Sequence, residues 1–91
     1  MKRYRIYFAL PAESRLRVYT MYLSQFLKGF SVFHLDGYWN GLREDSILIE
    51  YVGKHEEHEQ LRHAAWHART LFKQESVLFT VEDIQAEFVT A

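Results

Sequence analysis

The spacing of apolar residues in this chain of 91 residues switches repeatedly between two and three-to-four, and the order of those switches restricts its folding more than any single motif does. Residues 3 to 10 set Tyr4, Ile6, Phe8 and Leu10 against Arg3, Arg5, Tyr7 and Ala9, the alternation of a half-buried strand. After Pro11, Leu16, Tyr19, Leu23, Phe26, Leu27 and Phe30 recur at helical spacing, with Ser14 as a candidate N-cap and Gly29 as a candidate left-handed C-cap. Alternation returns over Ser31 to Trp39, where Phe33, Leu35 and Trp39 face one way and Val32, His34, Asp36 and Tyr38 the other. It resumes over Ser46 to Val52, and Asn40-Gly41 between the two runs suits a hairpin turn because both residues tolerate positive φ. From about Glu56 to Lys73, Leu61, Ala64, Ala65, Ala68, Leu71 and Phe72 trace one apolar helical stripe. Val77 to Val81 is β-branched and aromatic enough for a last strand. Ile84 and Phe88 in the tail then need burial, in a further strand or in a helical turn, since Thr80-Val81-Glu82-Asp83 has capping-box spacing.

The resulting order, β-α-β-β-α-β, predicts a ferredoxin-like α+β domain over 1–91: a four-stranded antiparallel sheet with both helices on one face. Right-handed crossovers favour strand order 4-1-3-2. A domain of this length buries roughly 60 to 65% of its unfolded surface, and seven Phe, six Tyr and two Trp supply much of the apolar part.

Charge and cysteine content narrow the function classes. A net charge of −1 argues against sequence-independent binding to a phosphate backbone. The balance is uneven: residues 1 to 30 carry Lys2, Arg3, Arg5, Arg15, Arg17 and Lys28 against Glu13 alone, and the remainder is acidic, a pattern that favours self-association unless folding interleaves the two segments. No cysteine means no disulfide, thiolate metal site or Cys nucleophile, and is compatible with a reducing compartment. No signal peptide is read at the basic N-terminus, and no window holds the ~18 uncharged apolar residues of a membrane span. The expectation is a soluble, cytoplasmic protein.

Two helices cover only one sheet face, so the other must meet solvent, a ligand or another subunit. Alternation assigns Arg5, Tyr7, His34, Asp36, Tyr38, Leu48, Glu50, Leu78 and Thr80 to that open face, with Arg5 and Glu50 as a cross-strand pair. His63 and His67 have the i, i+4 spacing that can clasp a metal, but at 100° per residue they fall away from the apolar stripe with no second set of supporting groups, so no metal site is expected. Trp66 falls off the same stripe and is an interface candidate, as are Val18, Met21 and Tyr22 on the first helix. Gly37-Tyr38-Trp39-Asn40-Gly41 followed by Glu44-Asp45-Ser46 is the densest local cluster of aromatic, acidic and hydroxyl groups. There is no phosphate loop, Gly-x-Ser-x-Gly elbow or dinucleotide fingerprint. The third strand lacks the basic start of an RNA-recognition motif and puts Glu50 where a base would stack, so nucleic acid is not expected as a partner.

Several features of the C-terminal half resemble the phage enzymes that destroy S-adenosylmethionine, the S-adenosylmethionine hydrolase/lyase family. They are Gly37-Tyr38 before the hairpin, Glu50 in the third strand, Ala65-x-x-Ala68 in the second helix, and Phe72-Lys73-Gln74-Glu75-Ser76-Val77-Leu78 leading into the last strand. The resemblance implies a homo-oligomer, a trimer by expectation, with active sites between subunits and no cofactor. It also implies a lyase reaction in which the substrate's own carboxylate displaces the sulfonium, giving homoserine lactone and methylthioadenosine. Glu50 would be the catalytic acid, holding the amino group or sulfonium by charge. Tyr7, His34, Tyr38 and Gln85 would contact substrate. The competing expectations are a non-catalytic phage or bacterial protein that binds a host factor through Trp66 or the open sheet face, and a metabolite-binding module without turnover.

Overall fold

The computed structural model describes residues 1–91. Strand β1 (Lys2–Ala9) leads into helix α1 (Glu13–Ser24), then β2 (Ser31–Trp39), β3 (Leu42–Gly53), a 3-10 turn (His55–Glu57), helix α2 (His58–Leu71) and β4 (Leu78–Asp83). The sheet order is β2-β3-β1-β4 with every neighbouring pair antiparallel, so the predicted 4-1-3-2 arrangement and the ferredoxin-like α+β fold are observed. No helix is long and apolar enough to cross a membrane.

Fourteen buried residues form one core between the helices and the sheet. Tyr4, Ile6 and Phe8 of β1 and Ile47 and Ile49 of β3 meet Leu16, Tyr19 and Leu23 of α1 and Leu61, Ala64, Ala65 and Ala68 of α2. The alanines let α2 approach the sheet closely, and Phe72 at its end stacks on Phe8 with ring centroids 4.4 Å apart. The turn at Asn40-Gly41 forms as expected, with φ of 51° and 79°.

The register corrects one facial assignment. Val32 lies opposite Ile49 and His34 opposite Ile47, so β2 turns Val32, His34, Asp36 and Tyr38 toward the helix side of the sheet. His34 accordingly meets Glu13 of α1 at 3.4 Å. The open face of β2 is formed by Phe33, Leu35, Gly37 and Trp39 instead. Alternation separates the two sets correctly but carries no sign, and only pairing with β3 supplies it.

Element ends also differ. Helix α1 starts at Glu13 after Ala12, which adopts an extended conformation with no side-chain cap, so Ser14 lies inside the first turn. It ends at Ser24 with Gln25 in a right-handed conformation, and Gly29 is not among the positive-φ residues. Leu27 is nonetheless buried, carried by the turn that follows. Strand β3 begins at Leu42, which places Glu44 and Asp45 in the sheet. Residues Thr80 to Asp83 belong to β4, and residues 84–91 form neither strand nor helix. Phe88 is 72% exposed, against the expectation of burial, whereas Ile84 is half-buried and its N–H reaches the Met1 carbonyl. The charge asymmetry along the chain is offset at β1 by folding: Lys2 pairs with Asp83, Arg3 with Glu82 and Arg5 with Glu50.

Candidate functional site

The open sheet face follows from the register. Across it run Phe33 opposite Leu48, Leu48 opposite Tyr7, and Tyr7 opposite Leu78, an apolar band from one edge strand to the other. Leu48 is only 9% exposed although no helix covers it, because its neighbours on this face crowd over it, whereas Leu78 at the edge is 58% exposed. Such a band, left uncovered by the helices, is the candidate surface for a ligand or a second copy.

Two grooves lie at opposite ends of this face. At the hairpin end, a groove of ≈ 540 Å³ runs between Trp39 and Leu35 of β2, Glu44 and Ser46 of β3, Tyr7 of β1 and Leu78 of β4. Gly37 forms part of its floor, and a Cβ there would sit 2.2 Å from the Ser46 Oγ, so the hydroxyl occupies the space a side chain would take. Gln74 closes one end: its Oε1 accepts from the Ala9 N–H at 3.2 Å and its Nε2 donates to the Phe72 carbonyl at 2.9 Å. On the other side of β3, Arg43 bridges Asp36 and Asp45.

At the opposite end, Glu50 lines a groove of ≈ 490 Å³ with Ser31, Val52, Lys28, Met1 and the tail residue Phe88. Arg5 Nε donates to Glu50 Oε2 at 2.8 Å, and this bond raises the guanidinium's pKa. The expected cross-strand pair therefore forms. Behind it, Tyr51 donates to Glu57 Oε2 at 2.5 Å, and burial followed by that bond pushes the phenol up to about 12.

Within one copy the candidate residues do not converge. Glu50 and Tyr7 share the open face, Tyr38 and His34 lie on the other face, and Gln85 is exposed in the tail. Trp66 is 60% exposed beside a groove of ≈ 470 Å³ between α2 and the edge strand β4, with Arg62, Arg69, Val77 and Phe79 around it and His63 stacked at 6.4 Å. Val18 and Met21 are exposed on α1, but Tyr22 is half-buried in the seam between the helices, 4.3 Å from the ring of His67. His67 is thus partly covered by aromatic rings rather than standing in open water. Trp39 and Gln74 were missed as individual site residues. Trp39 was legible as an aromatic two places from a strand glycine, while the position of Gln74 depends on the return of the chain past β1.

No family model matches the sequence, and no curated protein matches it. Solved structures do. A DUF3240 family protein from Shewanella baltica OS155 has a TM-score of 0.72 at 14% identity, with 99% of this chain and 97% of that one covered. A phage SAM lyase in its apo state has a TM-score of 0.70 at 20% identity, covering 98% of this chain and 92% of that one. CPII, a nitrogen regulatory PII-like protein from Thiomonas intermedia K12 bound to ADP, AMP and bicarbonate, has a TM-score of 0.68 at 20% identity, covering 98% and 94%. The likeness to the lyase extends over almost the whole chain rather than its C-terminal half, and it is a likeness of fold shared with the other two.

Proposed function

We propose that this chain is an S-adenosylmethionine-degrading enzyme, a lyase whose site is completed between copies packed through their open sheet faces. The observation that carries this reading is the uncovered apolar band with a groove at each end. Glu44 and Glu50 are six residues apart on β3, about 20 Å at strand rise, so one small folded substrate does not span both ends in one copy. A second copy laid across the band brings the Glu50 end of one chain to the hairpin end of the next and removes apolar surface from water at the same time. Tyr38 borders the hairpin-end groove from β2 and Gln85 approaches substrate from the tail, whereas His34, turned to the helix side beside Glu13, takes no part in a site on the open face.

The reaction is internal. A substrate carboxylate oxygen forms a bond to the γ-carbon while the bond from that carbon to sulfur breaks, and its electron pair returns to the sulfonium to give a neutral thioether. Methylthioadenosine leaves, homoserine lactone keeps the ammonium charge, and neither water nor a proton is consumed. The protein's part is to hold the chain of the substrate folded for attack and to keep the site dry. Glu50 anchors the ammonium by charge, and Tyr7 presents its ring to the sulfonium.

Incubating the protein with S-adenosylmethionine and separating products by mass tests this directly. Methylthioadenosine with homoserine lactone from the parent, lost in Glu50→Gln with the oligomer intact, is the expected result. Turnover unchanged in Glu50→Gln overturns the role of Glu50, and no product at any protein concentration overturns the enzyme reading. A second reading, a metabolite-binding module without turnover, is favoured by the engagement of Glu50 with Arg5, and binding without product in the same assay identifies it.

A further inference from the structure

We infer that the hairpin-end groove of the open face is a subsite for an unphosphorylated nucleoside, with Trp39 stacking the base and Glu44 accepting hydrogen bonds from the ribose diol. This rests on the reading above only in placing a substrate on the open face, and it names which part of the substrate each end receives.

The groove is lined mainly by apolar and aromatic groups, and Trp39 at its rim is 70% exposed with no intramolecular ring partner. An uncovered indole beside a cleft of this size offers a flat surface to a purine, a contact worth about tenfold or more in affinity. Glu44 lies directly opposite Gly37 and therefore diagonally beside Trp39 on the same face. Its neighbours Asp36 and Asp45 both pair with Arg43, whereas Glu44 has no ion-pair partner. A free carboxylate accepts two O–H donors at once, and a vicinal ribose diol supplies two. The Ser46 hydroxyl, held over Gly37, and Ser76 add donors and acceptors near the floor.

The lining also excludes a class of ligand. It contains neither lysine nor arginine, and its one carboxylate without an ion-pair partner is Glu44, since Asp36 is held by Arg43. A phosphate placed there would meet negative charge without a basic partner, so nucleotides bind more weakly than the parent nucleoside. A neutral or cationic riboside suits the groove.

The test is calorimetric titration of the full-length protein with adenosine, 2′,3′-dideoxyadenosine and AMP. Adenosine is expected to bind at least tenfold more tightly than either of the others. Glu44→Gln should weaken adenosine about tenfold and leave dideoxyadenosine unchanged. Trp39→Ala should weaken both nucleosides, with Trp39→Phe restoring most of the loss. Both positions are exposed, and circular dichroism of each variant establishes that it folds. AMP binding as tightly as adenosine, or equal effects of Glu44→Gln on adenosine and dideoxyadenosine, overturns the assignment. The two proposals fail separately: adenosine binding by this pattern without S-adenosylmethionine cleavage sinks the lyase and keeps the subsite, and cleavage unaffected by Trp39→Ala and Glu44→Gln does the reverse.

Discussion

A buried tyrosine shows how much a single side chain does in a domain this small. The ring of Tyr19 packs edge-on to Phe8 and Phe72, and its hydroxyl crosses from α1 to donate to the Ala64 carbonyl of α2 at 2.7 Å. Burial raises the phenol's pKa far above its ordinary value, so the group stays a neutral donor. Tyr19→Phe keeps the packing and removes the bond, and is expected to cost about 1 kcal/mol, seen as a lower denaturant midpoint with an unchanged slope. A slope that falls as well would mean that the helices part rather than lose one bond. The core tyrosine was readable from helical spacing, but its hydroxyl partner was not, because the carbonyl lies 45 residues away. Gly37 is a similar case. A glycine in a strand signals a close approach, and only pairing with β3 shows that Ser46 is what approaches.

Among the elements, β4 is the one whose extent the sequence left open. The competing helical turn loses because residues 80–83 pair along β1 and Val81 packs against the core, while Glu82 accepts from Arg3 Nε at 2.6 Å and Asp83 pairs with Lys2 at the surface. These bonds hold both carboxyls below their ordinary values of 4.5 and 3.8. A carboxyl depressed in the folded state contributes stability above its unfolded pKa and loses it as the pH falls through the folded one. Thermal unfolding should therefore show Glu82→Gln and Asp83→Asn slightly less stable than the parent at pH 6 to 7, with the gap closing in acid, below the usual carboxylate range. Both pairs are exposed, so the difference is small and shrinks with added salt. A gap that persists in acid would assign it to altered strand packing instead. The hairpin needed no such arbitration, since Asn40-Gly41 carries its own local preference for positive φ.

At the scale of the molecule, the open face governs behaviour. If copies meet there, a carboxylate in the apolar band should separate them. Sedimentation velocity is expected to find the parent as an oligomer and Leu78→Asp as a monomer that remains folded, because Leu78 touches solvent rather than the core in a single copy. A parent that sediments as a monomer at every concentration would remove the shared site. The sequence by itself determined the element order, the strand order, the core stripe of α2 and the existence of an uncovered face. All of these follow from local periodicity and the handedness of connections, which neighbouring residues encode. Tertiary structure alone decided which half of β2 faces outward, where α1 and β4 stop, and that the basic residues of β1 pair with acidic residues of β3 and β4. It also decided that Glu50 and the hairpin cluster sit at opposite ends of one surface. Each of these depends on which residue of a distant strand lies opposite, and a period of two reads the same on either face until that partner is known.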